Sequence, residues 1–336
     1  MSSSKPLLEI KGLTKYFPIR SGVFNKKTGD VKAVDGVTLT VYEGETVGIV
    51  GESGCGKSTT GKTILRLLEP TDGQILFEGE DLAKLSAEQM RRKRKDIQMV
   101  FQDPYASLNP RKTIRQILME PLKVHKIGES KQERNIMIHH IIEKVGLRKE
   151  HLDRHPHDFS GGQRQRIGIA RALIVKPKII IADEPVSALD VSIQSQILNL
   201  LKDLKKEFNL TLIFISHDLS VVKHLCNKVC VMYLGKTVEM ADKQTLFEYP
   251  KHPYTQALLS AVPTIHKNRK KERIVLKGNL PSPADPPPGC SFQTRCPYAA
   301  DECRSVAPAL SEVEQGHAVS CLRIHELTTA LSMQAN

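Results

Sequence analysis

Apolar runs of strand length alternate with helix-period stretches along most of the chain. Thr46–Val50, Ile179–Ile181 and Leu212–Ile215 are short and continuously apolar, the pattern of strands buried on both faces. Each precedes a segment of helical spacing, at about Lys57 to Leu68, about Ser192 to Lys206, and Leu219 to Leu225. That order predicts an α/β fold with a largely parallel sheet. Residues from about 103 to 160 carry helical stretches, Asn135 to Val145 among them, and little that reads as strand, so a helical insert is expected there. The polar segment Ser21–Val31 predicts a hairpin between two N-terminal strands. Beyond Leu259 the pattern changes. A basic run, Lys267-Asn-Arg-Lys-Lys-Glu-Arg273, and the proline-rich Pro281–Pro288 are poor core material, which predicts a main domain over 1–262 and a separate extension over 263–336.

At 336 residues, 40% hydrophobic and 26% charged, the chain can bury a sizeable core, and its apolar runs are strand-sized rather than bilayer-spanning. Met1-Ser-Ser-Ser-Lys-Pro6 lacks the apolar stretch of a secretory signal, so the expected compartment is the cytosol, where disulfides are not expected. The formal charge of +12 suits nucleic acid, an anionic membrane surface or a lysine-rich soluble surface. With aromatic residues at 5%, no Trp, and no basic stretch interleaved with aromatics, no nucleic-acid partner is expected, and a face apposed to anionic lipid fits better.

The chemistry concentrates in two segments. Gly51, Glu52, Ser53, Gly54, Cys55, Gly56, Lys57, Ser58 and Thr59 match a phosphate-binding loop, placed after an apolar strand and at the start of a helix. There the glycines let backbone N–H groups wrap phosphates, the helix start adds a favourable dipole, Lys57 reaches β and γ oxygens, and Ser58 ligates Mg²⁺. Ile179-Ile-Ile-Ala-Asp183-Glu184 ends a second buried strand on two acids, with Asp183 suited to hold Mg²⁺ and Glu184 to face an attacking water. The acid pair alone does not identify a site. A phosphate loop in the same chain makes it one.

Ser160-Gly161-Gly162-Gln163, within Asp158-Phe-Ser-Gly-Gly-Gln-Arg-Gln-Arg166, is where the chain resembles the ATPases of ABC transporters. The likeness runs from Leu7 to about Pro263 and takes in Phe17, Gln102, Ser187-Ala-Leu-Asp190 and His217; Phe159 stands where leucine is usual. The resemblance implies a P-loop ABC-type nucleotide-binding domain with a helical insert. It further implies that Phe17 stacks on adenine, with Tyr16 as the rival, and that Asp190 belongs to the nucleotide-binding set. Gln102 would sense Mg²⁺, His217 would contact the γ-phosphate, and Ser160 to Gln163 would face ATP held by a partner ATPase in a head-to-tail pair. A soluble ABC-type ATPase, or one that binds ATP without hydrolysis, is the rival; one cassette, no long coiled coil, and intact Glu184 and His217 argue against both.

Finer marks resemble the oligopeptide and dipeptide importer group and the related nickel group: Val100–Pro110, Glu184–Ile193, His252-Pro-Tyr-Thr255, Leu280-Pro-Ser-Pro283 and Arg295-Cys-Pro297. They imply the ATPase of an oligopeptide or dipeptide importer, with an importer of nickel or another small solute as the alternative, binding ATP and Mg²⁺ on the cytoplasmic face of the cell membrane. Its partners would be a second related ATPase, two transmembrane permeases and, indirectly, an extracytoplasmic peptide-binding protein. The tail places Cys290, Cys296, Cys303 and Cys321 in one short segment. Four thiols in a cytosolic chain suggest Zn²⁺ or a [4Fe–4S] cluster, with four free cysteines as the plain alternative, and the resemblance favours the cluster. Cys55 has no catalytic duty in this scheme, and Cys226 and Cys230 are expected in the core.

Overall fold

A computed structural model describes residues 5–22, 24–262 and 273–326. The basic run, apart from Arg273, therefore lies outside the described residues, and the expected boundary after 262 falls at their edge. In chain order the strands are β1 (Pro6–Ser21), β2 (Lys26–Tyr42), β3 (Thr46–Val50), β4 (Asp72–Phe77), β5 (Glu80–Asp81), β6 (Ile97–Val100), β7 (Ile179–Asp183), β8 (Thr211–Ser216), β9 (Lys228–Tyr233), β10 (Lys236–Asp242), β11 (Ser311–Glu314) and β12 (His317–Val319). The helices are α1 (Lys57–Ile64), α2 (Ala87–Lys93), α3 (Pro104–Ser107), α4 (Ile114–Val124), α5 (Lys131–Lys144), α6 (Gly161–Leu173), α7 (Val191–Phe208), α8 (Leu219–Leu225), α9 (Lys243–Glu248), α10 (Pro253–Ser260) and α11 (Glu302–Ser305). The described residues fall into two compact units, one within Met1–Leu7, Val41–Thr46 and Lys84–Ile215, the other within Leu8–Thr40, Val47–Ala83 and Ser216–Asn336.

In the first unit β6, β7 and β8 lie side by side and parallel, with Ile97 opposite Ile179 and Ile179 opposite Thr211. Every residue of β7 and β8 is buried, as their unbroken apolar runs require. From 103 to 160 the chain is helical or turns in short 3₁₀ segments, with no strand, as the pattern predicts. Thr113 opens α4 with a reciprocal capping box to Gln116, and the helix buries Ile114, Ile117, Leu118 and Leu122 along one stripe. α5 answers with Ile138, Ile141 and Ile142. α7 outruns its predicted end to Phe208 and stops where Asn209 turns left-handed, at φ 49°.

The second unit contains a sheet ordered β2-β1-β4-β5, with β4 antiparallel to both neighbours. The expected hairpin is the turn between β1 and β2, closed by Asn25 N–H donating to the Gly22 carbonyl at 3.0 Å. A second set runs β11-β12-β10-β9-β3. β3 and β9 are parallel, while β9, β10, β12 and β11 pair antiparallel, an antiparallel edge that the apolar runs do not announce. Two of those strands, β11 and β12, come from the cysteine-bearing extension, and β12 joins the sheet through Glu239 opposite Val319. Phe292 of the extension is 1% exposed and packs edge-on to Tyr233, at 5.2 Å between ring centres. α1 stops short of its predicted end at Leu68, because Arg66 turns left-handed (φ 48°) and its guanidinium bonds the Leu82 carbonyl.

Candidate nucleotide site

The second unit carries the phosphate loop. β3 is buried throughout and delivers the chain to Gly51, and the loop ends at Gly56, the residue that caps α1. Gly56 sits at φ 103°, and a Cβ there would stand 2.0 Å from the Ala33 carbonyl oxygen, so no other residue fits without moving backbone. No side chain caps α1 from that position. First-turn N–H groups without a side-chain cap are the donors that hold phosphate in such loops. Lys57 is buried, and its ammonium donates to the Gly51 and Glu52 carbonyls, each at 2.9 Å. Cys55 is 1% exposed, and burial pushes its thiol up, in keeping with a packing role.

Glu52 is engaged at three points. Its N–H donates to the Tyr254 hydroxyl at 2.9 Å, its carbonyl accepts from Lys57, and its carboxylate takes a two-pronged bond from Arg295 at 2.6 and 3.0 Å. Tyr254 and Arg295 belong to the two segments, His252–Thr255 and Arg295–Pro297, noted above only as family marks. Each lies more than two hundred residues beyond Glu52, and local sequence pattern gives no sign of the pairing.

Elsewhere in this unit, Phe17 is half-buried on β1 with the Lys15 ammonium 5.0 Å from its ring centre. Its rival Tyr16 is bonded through its hydroxyl to Asp35 at 2.5 Å, and burial together with that carboxylate pushes the phenol up to about 12. His217 is exposed in the turn after β8, between Ser216 and Asp218, whose side chains close the turn onto the Asp218 and Ser220 N–H groups.

The first unit carries the acid pair. Asp183 ends β7 and is 2% exposed. Glu184 follows in a left-handed conformation, φ 43°, a strained state for a side-chain-bearing residue. Its N–H donates to the Ile215 carbonyl at 3.0 Å, and the Ser187 hydroxyl and N–H both donate to its carbonyl. Gln102, beyond β6, donates from Nε2 to Glu184 Oε2 at 3.1 Å, which brings two of the predicted site residues into contact. Ser160 caps α6 in a reciprocal box: Gln163 N–H donates to its hydroxyl at 3.4 Å, and its own N–H donates to the Gln163 side chain at 3.0 Å. Gly162 faces α7 so closely that a Cβ would stand 2.5 Å from Ile193 Cγ2, and Gly161 lies against Leu189. Asp190 precedes α7 without its carboxylate capping that helix.

The tail cysteines share one lobe of the second unit. Cys290 N–H donates to the Cys303 carbonyl at 2.8 Å, and Cys303 sits buried on α11. Burial pushes the Cys296 thiol up to about 11, and the nearby sulfurs of Cys290, Cys321 and Cys303 each add to that shift. None of the seven cysteines forms a disulfide, and Cys226 and Cys230 are core residues as expected. Among the described residues, no group of three or more His, Cys, Asp or Glu side chains is gathered as a metal site. The four sulfurs are therefore neighbours and the right donor type, without standing in ligating geometry.

Residues 34–187 match the ABC transporter family, and residues 238–303 match the oligopeptide/dipeptide transporter C-terminal region. The oligopeptide transport ATP-binding protein AppF of Bacillus subtilis (strain 168) is 58% identical over 323 residues, 95% of this chain and 98% of AppF. OppF of Salmonella typhimurium, an oligopeptide transport ATP-binding protein, is 53% identical over 96% of this chain and 98% of its own length. Among solved structures, the ATP-binding cassette MJ0796, a dimer in a post-hydrolysis state bound to ADP and Pi, is 30% identical with a TM-score of 0.63, covering 70% of this chain and 98% of that one. With a relative this similar along nearly the whole length of both proteins, the chain belongs to the ABC transporter ATPase family, in the branch that carries the oligopeptide/dipeptide transporter C-terminal region.

Proposed function

We propose that this chain is the ATP-hydrolysing subunit of an importer that couples ATP hydrolysis to uptake of oligopeptides or dipeptides. The observation that carries the reading is the likeness to AppF along 95% of the chain, extension included. Among the described residues no helix is long and apolar enough to cross a membrane. In this reading the chain sits at the cytoplasmic face of the cell membrane on two permease subunits. It pairs with a second, related ATPase and is served indirectly by an extracytoplasmic peptide-binding protein.

The residues divide the work as follows. Gly51 to Thr59 wrap the phosphates, Lys57 meets the β and γ oxygens, Phe17 stacks on adenine and Asp190 borders the nucleotide. Ser58, Asp183 and Gln102 are the residues that would hold Mg²⁺, and that ion when bound would neutralise charge on the β and γ oxygens. Glu184 takes a proton from the attacking water as its oxygen bonds to the γ-phosphorus and the bond to the ADP oxygen breaks. His217 contacts the γ-phosphate. Ser160, with the N–H groups of Gly161 and Gly162 and with Gln163, faces ATP held by the companion subunit, a second use of a helix N-terminus. Gln102 also links the site to the helical insert, and its bond to Glu184 supports that role.

Glu184→Gln should keep ATP binding and lower turnover by about 10²- to 10⁴-fold, the range for loss of a positioned base. Near-normal turnover would remove Glu184 from the mechanism. The same variant, trapped with ATP in its native membranes and solubilised, should co-purify with two multi-span proteins and a second ATPase. Recovery with ribosomes or DNA and no membrane protein would overturn the transporter reading. In the tail, Cys290, Cys296, Cys303 and Cys321 are the right donor type and would hold a [4Fe–4S] cluster, or Zn²⁺, as a structural staple once their sulfurs are drawn into ligating geometry. Its support is four sulfurs in one small lobe. Iron, sulfide and zinc assays on anaerobically purified protein check this, and absence of all three would refute it.

A further inference from the structure

An acidic residue inside an anion-binding loop needs a reason. The loop Gly51–Thr59 gathers positive potential for phosphates, and the Glu52 carboxylate opposes that potential from within. The structure sets a cation directly against it. Arg295 Nη1 and Nη2 bond Glu52 Oε2 and Oε1 at 2.6 and 3.0 Å, the planar fork-to-fork pairing that fixes both position and orientation. The Arg295 side chain is 8% exposed and that of Glu52 29%, so the pair is screened far less than a surface salt bridge. Arg295 is itself held in place. Its N–H donates to the Phe292 carbonyl at 3.0 Å, and its guanidinium lies 5.9 Å from the Tyr233 ring centre. Tyr233, Phe292 and the fully buried Tyr254 pack edge-on or tilted within 5.5 Å of one another, and Tyr254 takes the Glu52 N–H.

From this geometry we infer that Arg295 is a positioning residue for nucleotide binding: it neutralises Glu52 and holds the first turn of the phosphate loop from the C-terminal extension. The extension then contributes to ATP affinity within the chain itself, whatever it contributes to assembly. The inference rests on the reading of Gly51–Thr59 as the phosphate loop. Removing Arg295 leaves an uncompensated carboxylate beside the bound triphosphate and frees the residue whose carbonyl Lys57 engages. Removing both charges together takes away the repulsion and leaves the Tyr254 bond in place.

The test is titration of the full-length protein with MgATP, with thermal unfolding of each variant followed in parallel. Arg295→Ala should raise Kd about tenfold, the Arg295→Ala/Glu52→Gln double variant should return to within about threefold of the parent, and Arg295→Lys should fall between. A role confined to holding the fold would leave the double variant as weak as Arg295→Ala, which would overturn the inference, as would Arg295→Ala binding within twofold of the parent. If Arg295→Ala shows no cooperative unfolding, Arg295→Lys carries the test. It keeps the charge, loses the fork, and should weaken binding two- to fivefold, so parental affinity refutes the inference. Lys57→Ala in the same titration reports on the phosphate loop itself. Retained binding there would count against the loop, separately from Arg295.

Discussion

Replacing Glu239 by glutamine tests how the extension is locked to the sheet. Glu239 lies in β10, is fully buried, and accepts three bonds: the Lys251 N–H at 2.8 Å and His317 Nε2 at 2.7 Å on one oxygen, and the His252 N–H at 3.0 Å on the other. A carboxylate only accepts, so three converging donors suit it. Glutamine has the same shape but must turn its NH₂ toward a donor. The cheaper orientation keeps the Lys251 and His317 bonds, weakened by loss of charge, and leaves the buried His252 N–H unpaired. An unpaired buried donor costs about 1–3 kcal/mol, and a bond to a charged group is worth about 1.5–3 kcal/mol against roughly 1 for a neutral one. Glu239→Gln should therefore destabilise by about 3 kcal/mol. Urea unfolding without nucleotide, followed by far-UV circular dichroism, reads this as a lowered midpoint at constant slope. Because the Ser320 N–H bonds the Val238 carbonyl next door at 2.8 Å, its hydrogen exchange should quicken with the midpoint shift. A double-mutant cycle with His317→Ala should give a coupling of about 1–2 kcal/mol. A loss under about 0.5 kcal/mol with no coupling would refute the account of Glu239 as a three-donor acceptor.

Two further outcomes follow from single contacts. Burial pushes the His252 imidazole down to about 4, and its Nδ1 accepts the Tyr254 N–H at 3.1 Å, so the ring is neutral when folded. The unfolded chain, with an ordinary imidazole near 6.5, binds the extra proton first; stability is full above about pH 6.5 and falls by about 3 kcal/mol toward pH 4. His252→Asn keeps a capping side chain and should flatten that slope in urea midpoints measured across pH, whereas an unchanged slope would place the titration elsewhere. Gly162→Ala drives a methyl to 2.5 Å from Ile193 Cγ2, so either the β-branched Ile193 side chain or the start of α6 must shift. ATP turnover of the assembled transporter should fall at least about tenfold while MgATP binding to the isolated subunit is kept, the split expected of an interaction made only in the closed, reacting state.

Local pattern carried far in the parts of the chain whose chemistry is local. β7 and β8 are visible as unbroken apolar runs, because a strand buried on both faces needs nothing but its own residues to show it. Gly51–Thr59 is visible for a similar reason, since phosphate wrapping uses consecutive backbone groups. Where reading stopped, the structure depends on partners distant in sequence. The antiparallel half-sheet needs β12, whose three residues His317–Val319 are too few to announce a strand. The proline-rich stretch Pro281–Pro288 reads as linker, yet four residues later Phe292 is among the largest fully buried side chains. Arg295 is polar and unremarkable by pattern, and only the fold sets it on Glu52, 243 residues away. One trace of that pairing was nevertheless present in the sequence. Glu52 occupies a loop built to attract anions, and a carboxylate there is unfavourable unless a cation meets it. A local conflict of that kind is the readable sign of a remote partner, since a foldable sequence resolves such conflicts through its tertiary contacts. By the same reasoning, a relative with a neutral residue at the position of Glu52 has no electrostatic need of Arg295, and the two positions should change together.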